Sequence, residues 1–566
     1  MRQTTTLSAL FLAGSLAASP LLAQAPPDPT PTPAPADTKK IEDLKRRVEE
    51  LEKKSEQGEK RADKLEKKSA LDRVNFTGDF RFEAHSIRAD VAPRMDGLKF
   101  QNNLVNTLFY FGATGRPPQS LDDVGKFIAQ NYANYLYFTN NLTFGQLKSA
   151  VGMFTPQMQQ QLFPLLMSNT HVDGYSHNND ILYTSRLRLR LKADVSKDID
   201  FDARLSMYKV WGDSTGVQVY SGGATQINFD GTTAGVPNSD ILRVERAYFD
   251  WKNMFGTPLY LSVGRRPSTG GAPLNLRQDE MRGGTPLGSV VDFQFDGITV
   301  GYHLGDESTI RLCYGLGYES GFGNGEVLKQ PADRLKDAHL LGVNWDIYST
   351  ERTFIQATWA HAFDLPDGFN GLLVLTNDPV TGAPINAPVV LRFTPSRNLG
   401  DLDLGSLLLI RRDGPLDWFV SGNLSQSHPE NVTTPFGGLF ADPFDVPETH
   451  TGWMVYAGVR LNLNQDRTKI GFEYNHGSQY WFNFALAEDD ILGPKTSTRG
   501  DVLEAYVTHR ITRNFIGKLG YIHYDFAYSN SGFPLGAPKD LSSTPVLGFP
   551  AYKNASMVSL GLTARF

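Results

Sequence analysis

The chain ends in the stretch Ser556-Met557-Val558-Ser559-Leu560-Gly561-Leu562-Thr563-Ala564-Arg565-Phe566. Apolar side chains occupy every second position, and the residues between them are small or polar. A period of two places the apolar set on one face of a β-strand and the polar set on the other. A closing strand with an apolar outer face, a polar inner face and a terminal aromatic residue is typical of a membrane-spanning barrel. The pattern therefore predicts an all-β fold, a transmembrane antiparallel β-barrel.

The same strand resembles the terminal signal that the barrel-assembly machinery of Gram-negative bacteria recognises. Four side chains would form that signal: Val558, Leu560, Leu562 and Phe566. An ordinary amphipathic edge strand is the alternative interpretation. It explains the alternation but gives no reason for the chain to stop on phenylalanine. We therefore expect the assembly machinery and outer-membrane lipid as partners.

The N-terminus has the features of a secretory signal peptide. Arg2 supplies a positive charge, residues 7–16 are apolar, and small residues surround two possible cleavage positions, Ala23 and Ala25. Cleavage after Ala23 is favoured because Pro26 would hinder cleavage after Ala25. The predicted signal peptide is therefore residues 1–23, and we expect the mature chain in the outer membrane of a Gram-negative bacterium.

Composition restricts the class of protein further. No stretch approaches the roughly 18 apolar residues that a transmembrane helix needs, whereas 40% apolar residues with a mean hydropathy of -0.31 suit alternating strands. The single cysteine, Cys313, excludes an intramolecular disulfide, a Cys-based zinc site and covalent haem attachment. A net charge of -6 does not suggest a nucleic-acid partner.

Two segments separate the signal peptide from the predicted barrel. Residues 24–38 form a Pro-rich linker that is expected to stay extended. Residues 39–73 are mostly charged, and their first two heptads place Ile41, Leu44, Val48 and Leu51 at the positions of a coiled-coil seam. Polar and glycine residues weaken the following heptads. A periplasmic coiled coil, which would join barrels as a homotrimer or reach toward the cell wall, and a solvated single helix are equally good interpretations.

Residues 74–566 alternate like strands and predict a barrel of about 16–18 strands, which is wide enough for an aqueous lumen. One or two of these strands fall within residues 134–154, and another covers 479–486. Short connections alternate with long Gly- and Pro-rich ones such as 267–289, which predicts a periplasmic rim of turns and an extracellular rim of loops. Residues 120–137 have a helical pattern that fits either the lumen or the outer rim.

A row of cations in one strand indicates which face lines the lumen. Leucines alternate there with four cations, Arg186, Arg188, Arg190 and Lys192. Each cation would cost roughly 2–4 kcal/mol if it faced hydrocarbon near the midplane, so the row is expected to face water. The next strand directs Asp202 and Arg204 to one face. Facing rows of opposite charge could select solutes by charge, or they could form ion pairs that only stiffen the wall.

A second group of cations follows a strand in a Gly- and Pro-rich loop. Its members are Arg265, Arg266, Arg277 and Arg282. If the loop folds inward, it forms a constriction where these arginines meet anionic solutes. If it does not, it is an ordinary exposed loop.

The sequence gives little support for catalysis. Gly212-Asp213-Ser214-Thr215-Gly216 matches the Gly-x-Ser-x-Gly pattern of a nucleophile elbow, but no helix follows it. The 11 histidines show neither the spacing of a zinc helix nor a cluster. No phosphate-binding loop or dinucleotide fingerprint is present. We predict no catalytic, cofactor-binding or metal site, no cofactor and no enzyme activity.

Several motifs resemble a family of Gram-negative outer-membrane, porin-like barrels of unknown function with an N-terminal coiled coil. They include Phe76-Thr77-Gly78-Asp79-Phe80-Arg81-Phe82, Ser185-Arg186-Leu187-Arg188-Leu189 and Gly264-Arg265-Arg266-Pro267-Ser268. The resemblance covers nearly the whole mature chain. It implies a fold and a location but no substrate.

Two functions fit these observations. The first is an outer-membrane porin-like channel for passive diffusion of small hydrophilic solutes or ions. The second is a non-conducting scaffold, such as an envelope tether, an adhesin or a sheath for an electron-transfer partner. A lumen filled by the segment 120–137 or by long loops would favour the scaffold, whereas stable open channels would favour the porin.

Overall fold

The structure is a computed structural model that describes residues 35–72, 74–212, 239–321, 334–368, 371–377, 384–393, 395–486, 488–542, 546–548 and 550–566. The chain divides into two compact units, Met1–Asp72 and Arg73–Phe566. The Gly-x-Ser-x-Gly match at residues 212–216, which was not predicted to be a nucleophile elbow, lies almost wholly outside the described residues.

The first unit contains one helix, α1 (Pro35–Asp72). It begins inside the predicted linker, which is possible because proline is tolerated in the first turn of a helix. Leu44, Val48 and Leu51 are all more than half exposed, so within this unit their stripe is uncovered. Pairing of the stripe into a coiled coil stays a prediction. None of the helices in the described part of the chain is long and apolar enough to cross a membrane.

The second unit is a closed barrel of sixteen antiparallel strands, within the predicted range. The barrel strands are β1 (Val74–Val91), β4 (Tyr175–Asp194), β5 (Ile199–Val210), β6 (Ser239–Trp251), β7 (Leu259–Arg265), β8 (Asp296–His303), β9 (Thr309–Tyr318), β10 (Ala338–Ser349), β11 (Thr353–Pro366), β14 (Asn398–Asp413), β15 (Leu416–Pro429), β16 (Thr451–Leu463), β17 (Thr468–Gly477), β18 (Gly500–Thr512), β19 (Phe515–Phe526) and β21 (Tyr552–Arg565). Neighbours in the barrel follow chain order, and β1 closes it by pairing with both β4 and β21.

The other elements lie in connections between barrel strands. The helices are α2 (Gly97–Thr114), α3 (Leu121–Gln130), α4 (Tyr132–Asn141), α5 (Phe144–Gly152) and α6 (Pro156–Met167). Two small sheets add the strands β2 (Arg94–Asp96), β3 (His171–Val172), β12 (Gly371–Asn377), β13 (Pro384–Phe393) and β20 (Val546–Gly548). β12 and β13 form a hairpin, and β20, β2 and β3 form a three-stranded sheet.

The connection between β1 and β4 is helical, which confirms one prediction and corrects another. The helical pattern at 120–137 becomes α3 and α4, and the Ser120 hydroxyl accepts a hydrogen bond from the Asp123 amide at the start of α3. The strands predicted within 134–154 are wrong, because α4 and α5 occupy these residues. Thr143 and Gln146 form a capping box that starts α5.

The alternation along β15 separates an apolar outer face from a largely polar inner face. On β15, Val420 and Leu424 are exposed, whereas Ser421, Asn423 and Ser425, which alternate with the exposed positions, are buried. A water-soluble sheet has the opposite arrangement. Exposed apolar residues alternating with buried polar ones are characteristic of a barrel whose outer face contacts lipid.

The connections alternate in length around the barrel and define two rims. The short-turn rim carries tight turns such as the one between Asp413 and Leu416. Strand β1 begins at this rim, and the last strand, β21, ends there. The long-loop rim carries the long connections. At the barrel seam, the Phe566 amide donates to the Gly78 carbonyl at 2.9 Å, and the Gly78 amide donates to the Phe566 carbonyl at 2.8 Å.

Candidate functional site in the barrel lumen

The connection between β7 and β8, residues 266–295, folds into the lumen and is called here the first inner loop. The Arg460 guanidinium of β16 donates to the Leu276 carbonyl at 2.9 Å. Asp279 forms ion pairs with Lys469 of β17 and with Arg510 of β18, the latter at 3.2 Å. Because β7 and β16 lie on opposite sides of the sixteen-stranded ring, the loop crosses the lumen.

The connection between β17 and β18, residues 478–499, also enters the lumen and is called the second inner loop. The sequence prediction of a strand at 479–486 is wrong, because these residues belong to this loop. Asp489 forms ion pairs with Arg81 of β1 and with Arg186 of β4. The distance between the Arg186 nitrogen and the Asp489 oxygen is 2.6 Å. The loop is therefore fixed to the wall on the side where the barrel closes.

Arg277 joins the two inner loops. Its guanidinium donates to Asp490 at 2.9 Å and to Glu488 at 3.2 Å, and it lies 3.2 Å from Glu504 of β18. Burial alone would lower the pKa of Arg277, but the surrounding carboxylates outweigh burial and hold it well above the usual value. The guanidinium is therefore permanently charged, and it keeps three carboxylates close together.

Lys495 of the second inner loop is completely buried between two carboxylates of the wall. Its ammonium group donates to Glu473 of β17 and, at 2.6 Å, to Glu504 of β18. Burial lowers the pKa of Lys495, but the two carboxylates raise this pKa by more than burial lowers it, so the net shift is upward. The lysine therefore stays charged and anchors the loop to β17 and β18.

Apolar contacts complete the attachment of the loops. Leu402 and Leu404 of β14 point inward and are at most 1% exposed. They pack in one buried cluster with Val290 of the first inner loop and Phe482 of the second. A wall facing open water would not carry such leucines, and here the inner loops cover them.

The structure places the predicted row of cations on the inner face of β4. Arg186 is 3.4 Å from Asp79 and from Glu280, and Arg188 also pairs with both carboxylates. Arg190 donates to Asp202 at 3.0 Å, and Lys192 lies 3.8 Å from Asp200. Arg204 donates to Glu245 at 2.7 Å. Arg190 and Lys192 are nearly half exposed, whereas Arg186 is buried.

The four arginines of the predicted constriction are divided between two places. Arg266, Arg277 and Arg282 belong to the first inner loop, and Arg282 pairs with Asp346 of β10 at 3.0 Å. Arg265 does not enter the lumen. It is the last residue of β7. Because it comes three residues after Ser262, which is buried on the inner face, it lies on the opposite face of the strand, 3.5 Å from the exposed Asp296.

Glu280 shows how the wall holds the first inner loop. Burial raises the pKa of this carboxyl group, but the charges of Arg188 and Arg186 outweigh burial and hold it well below its usual range. Asp489 behaves in the same way beside Arg81 and Arg186. Sequence reasoning did not find the three loop residues Glu280, Asp489 and Lys495. The partners of Glu280 and Asp489 lie far away in the chain, and Lys495 meets Glu473 and Glu504 only because the second inner loop folds inward.

The closed antiparallel barrel, with its apolar exposed exterior and its charged interior, defines an outer-membrane β-barrel protein. The chain belongs to a family described as "Protein of unknown function (DUF3373)", which matches residues 176–566. This membership confirms the predicted resemblance to a barrel family. Among the described residues, no group of three or more His, Cys, Asp or Glu is arranged to hold a metal ion.

The chain is also similar to solved structures. OprB of Pseudomonas putida has 10% sequence identity and a TM-score of 0.40, and the match covers 88% of this chain and 96% of OprB. OmpT of Vibrio cholerae has 11% identity and a TM-score of 0.36, with 87% of this chain and 97% of OmpT covered. No curated protein matches the chain.

Proposed function

We propose that the protein is a porin-like channel of narrow bore, for passive diffusion of small ions or hydrophilic solutes. The observation that carries this proposal is the docking of both inner loops inside the lumen by ion pairs to the barrel wall. In this proposal the mature chain lies in the outer membrane with its long-loop rim outside and its helix α1 in the periplasm. The proposal assigns the protein no enzyme activity.

The bore is narrow because the loops occupy space that a barrel of this size would otherwise leave open. Sixteen strands enclose a lumen wide enough for an aqueous channel. Here many charged side chains of the inner face, including Arg81, Arg311 and Glu473, are less than 9% exposed. Passage would therefore be limited to solutes that fit between the inner loops and the wall.

A second function, a non-conducting scaffold, is favoured by the complete burial of charged loop residues. Lys495 and Arg499 have no exposed surface, and Arg499 donates to the carbonyls of Ser529 and Phe533 at 3.1 and 2.9 Å. Such a lumen would suit an envelope tether or a sheath for a partner, with α1 as the element that forms a trimer. Conductance measurements separate the two functions.

We expect removal of the tip of the first inner loop to increase single-channel conductance several-fold. Residues 271–282 can be excised because the ends to be joined are already adjacent: the Gly283 amide donates to the Gly270 carbonyl at 2.8 Å. The measurement compares the wild-type protein and this variant in planar bilayers. As a control, removal of residues 371–393 deletes β12 and β13, whose described residues form a separate two-stranded sheet, and should leave conductance unchanged.

The outcomes of this measurement distinguish a conducting lumen from a closed one. Small, stable conductance in the wild-type protein, enlarged by the excision, supports the narrow channel. No conductance in the wild-type protein, with channels appearing only after the excision, supports the scaffold. Wild-type channels as large as those of the excised variant would contradict the assignment of the constriction to this loop.

We expect the double substitution of Arg186→Gln and Arg188→Gln to shift ion selectivity toward cations. The two arginines neutralise Asp79 and Glu280, and their loss removes the cations that pair with these carboxylates, whereas Asp489 keeps Arg81. The measurement is the reversal potential across a salt gradient. An unchanged or more anion-selective reversal potential would show that the ions do not pass this part of the wall.

A further inference from the structure

A small cavity lies between the first inner loop and the wall formed by β8, β9, β10 and β11. Its volume is about 70 Å³, in the measure where one water molecule needs about 10–15 Å³. Gly297, Gly315 and Gly342 form part of its wall, and Gly297 and Gly315 are direct partners in the strand pairing. At these positions the three neighbouring strands contribute backbone rather than side chains to the lining of the cavity.

The remaining lining of the cavity is mostly apolar. Val291 and Phe295 of the first inner loop face Leu340 and Ala360 of the wall. Cys313, the only cysteine of the chain, also lines the cavity. Of the polar members, Asn344 and Thr358 are hydrogen-bonded to each other at 2.9 Å and the Ser268 hydroxyl donates to the Phe293 carbonyl, and two further threonines, Thr285 and Thr299, line the space. The cavity therefore suits a short apolar group better than a sugar.

One charged side chain, Arg266, borders this apolar space. It is only 8% exposed, and its Nη1 atom is buried without a hydrogen-bond partner. Its guanidinium lies 6.0 Å from the centre of the Tyr248 ring. In the described part of the chain, no carboxylate lies within ion-pair distance of Arg266, whereas Arg277 and Arg282 of the same loop are both paired. A buried guanidinium without a counter-charge is unfavourable.

We propose that this cavity binds a small monocarboxylate with a short apolar body. The carboxylate would accept hydrogen bonds from the guanidinium of Arg266, which is suited in shape and charge to a carboxylate. The apolar body would lie against the glycine wall beside Cys313. This inference concerns binding alone and holds whether or not the barrel conducts.

The test uses the complete mature protein in lipid nanodiscs and two matched fluorinated probes. The probes are 4,4,4-trifluorobutanoate and its neutral analogue 4,4,4-trifluorobutanamide, and the measurement is the broadening of their fluorine NMR signals at neutral pH. We expect saturable broadening for the acid and none, or at least tenfold weaker binding, for the amide. This difference corresponds to roughly 1.4 kcal/mol.

Three variants assign the binding to the cavity. Arg266→Gln should weaken binding of the acid at least tenfold, and Cys313→Met should weaken it by filling the space. Arg411→Gln removes an exposed arginine at the short-turn rim and should leave binding unchanged. The inference is overturned if the wild-type protein does not bind the acid, if the amide binds as tightly, or if Arg266→Gln binds like the wild type. Channel measurements on the same protein test the proposed function separately.

Discussion

Replacing Gly78 by valine is expected to prevent formation of the folded barrel. A Cβ atom at this position would lie 2.6–2.7 Å from two ring atoms of Phe566 and 2.8 Å from the Arg188 carbonyl oxygen. No side chain can occupy that space unless the backbone of β4 or the terminal ring moves. The colliding atoms belong to β4 and to the terminal residue, which pair with β1 on its two sides, so the substitution disturbs the pairing of β1 where the barrel closes.

The assembled fraction can be measured by the heat-dependent change in gel mobility that folded barrels show, using outer-membrane fractions. Gly422→Val in β15 is the matched control, because a Cβ atom there meets nothing within 4 Å. It adds the same side chain to a strand without a collision. Normal assembly of the Gly78→Val variant would show that Phe566 does not need to lie against β1.

Replacing Lys495 by methionine is expected to destabilise the barrel by about 3–5 kcal/mol, the range observed when one partner of a buried ion pair is removed. Glu504 keeps Arg277 as a partner, but Glu473 keeps only the hydroxyl groups of Tyr456 and Tyr506. A buried carboxylate would then lack a counter-charge. The measurement is the free energy of unfolding in urea, with the protein in lipid vesicles.

Two further variants test the cause of this destabilisation. Adding Glu473→Gln to Lys495→Met removes the uncompensated charge and should recover part of the lost stability, because the glutamine carbonyl oxygen can still accept from one of the two tyrosines that donate to the two oxygens of Glu473. Lys252→Met breaks the pair with Asp200 at a half-exposed site and should have little effect, as surface ion pairs contribute little. Equal effects of Lys495→Met and Lys252→Met would contradict the anchoring role of Lys495.

Local sequence patterns predicted most of the barrel. The alternation in β15 and β21 identifies both faces of each strand, since burial follows directly from the period of two. The alternation of short and long connections predicted the two rims, because successive connections of an antiparallel barrel lie at opposite rims. The errors at 134–154 and 479–486 arose because short apolar and aromatic runs fit strands, helices and packed loops alike.

The candidate site was less predictable because its contacts are distant in the chain. The row from Arg186 to Lys192 could be placed in the lumen, since hydrocarbon excludes it. Its partners could not be predicted, because Glu280 and Asp489 reach it only after two connections have folded inward. The same limit applies to Arg266, whose significance depends on its having no acidic neighbour within the described residues.

The ion pair between Arg81 and Asp489 joins residues 408 positions apart. During export the N-terminal partner emerges long before its counterpart, and no local contact can substitute for it. Contacts of such separation form late, because the intervening chain must first be ordered. The contacts inside the lumen should therefore form only after the last strands have paired with the first. A chain truncated before residue 489 would lack this internal fastening and would be a substrate for proteases rather than a smaller barrel.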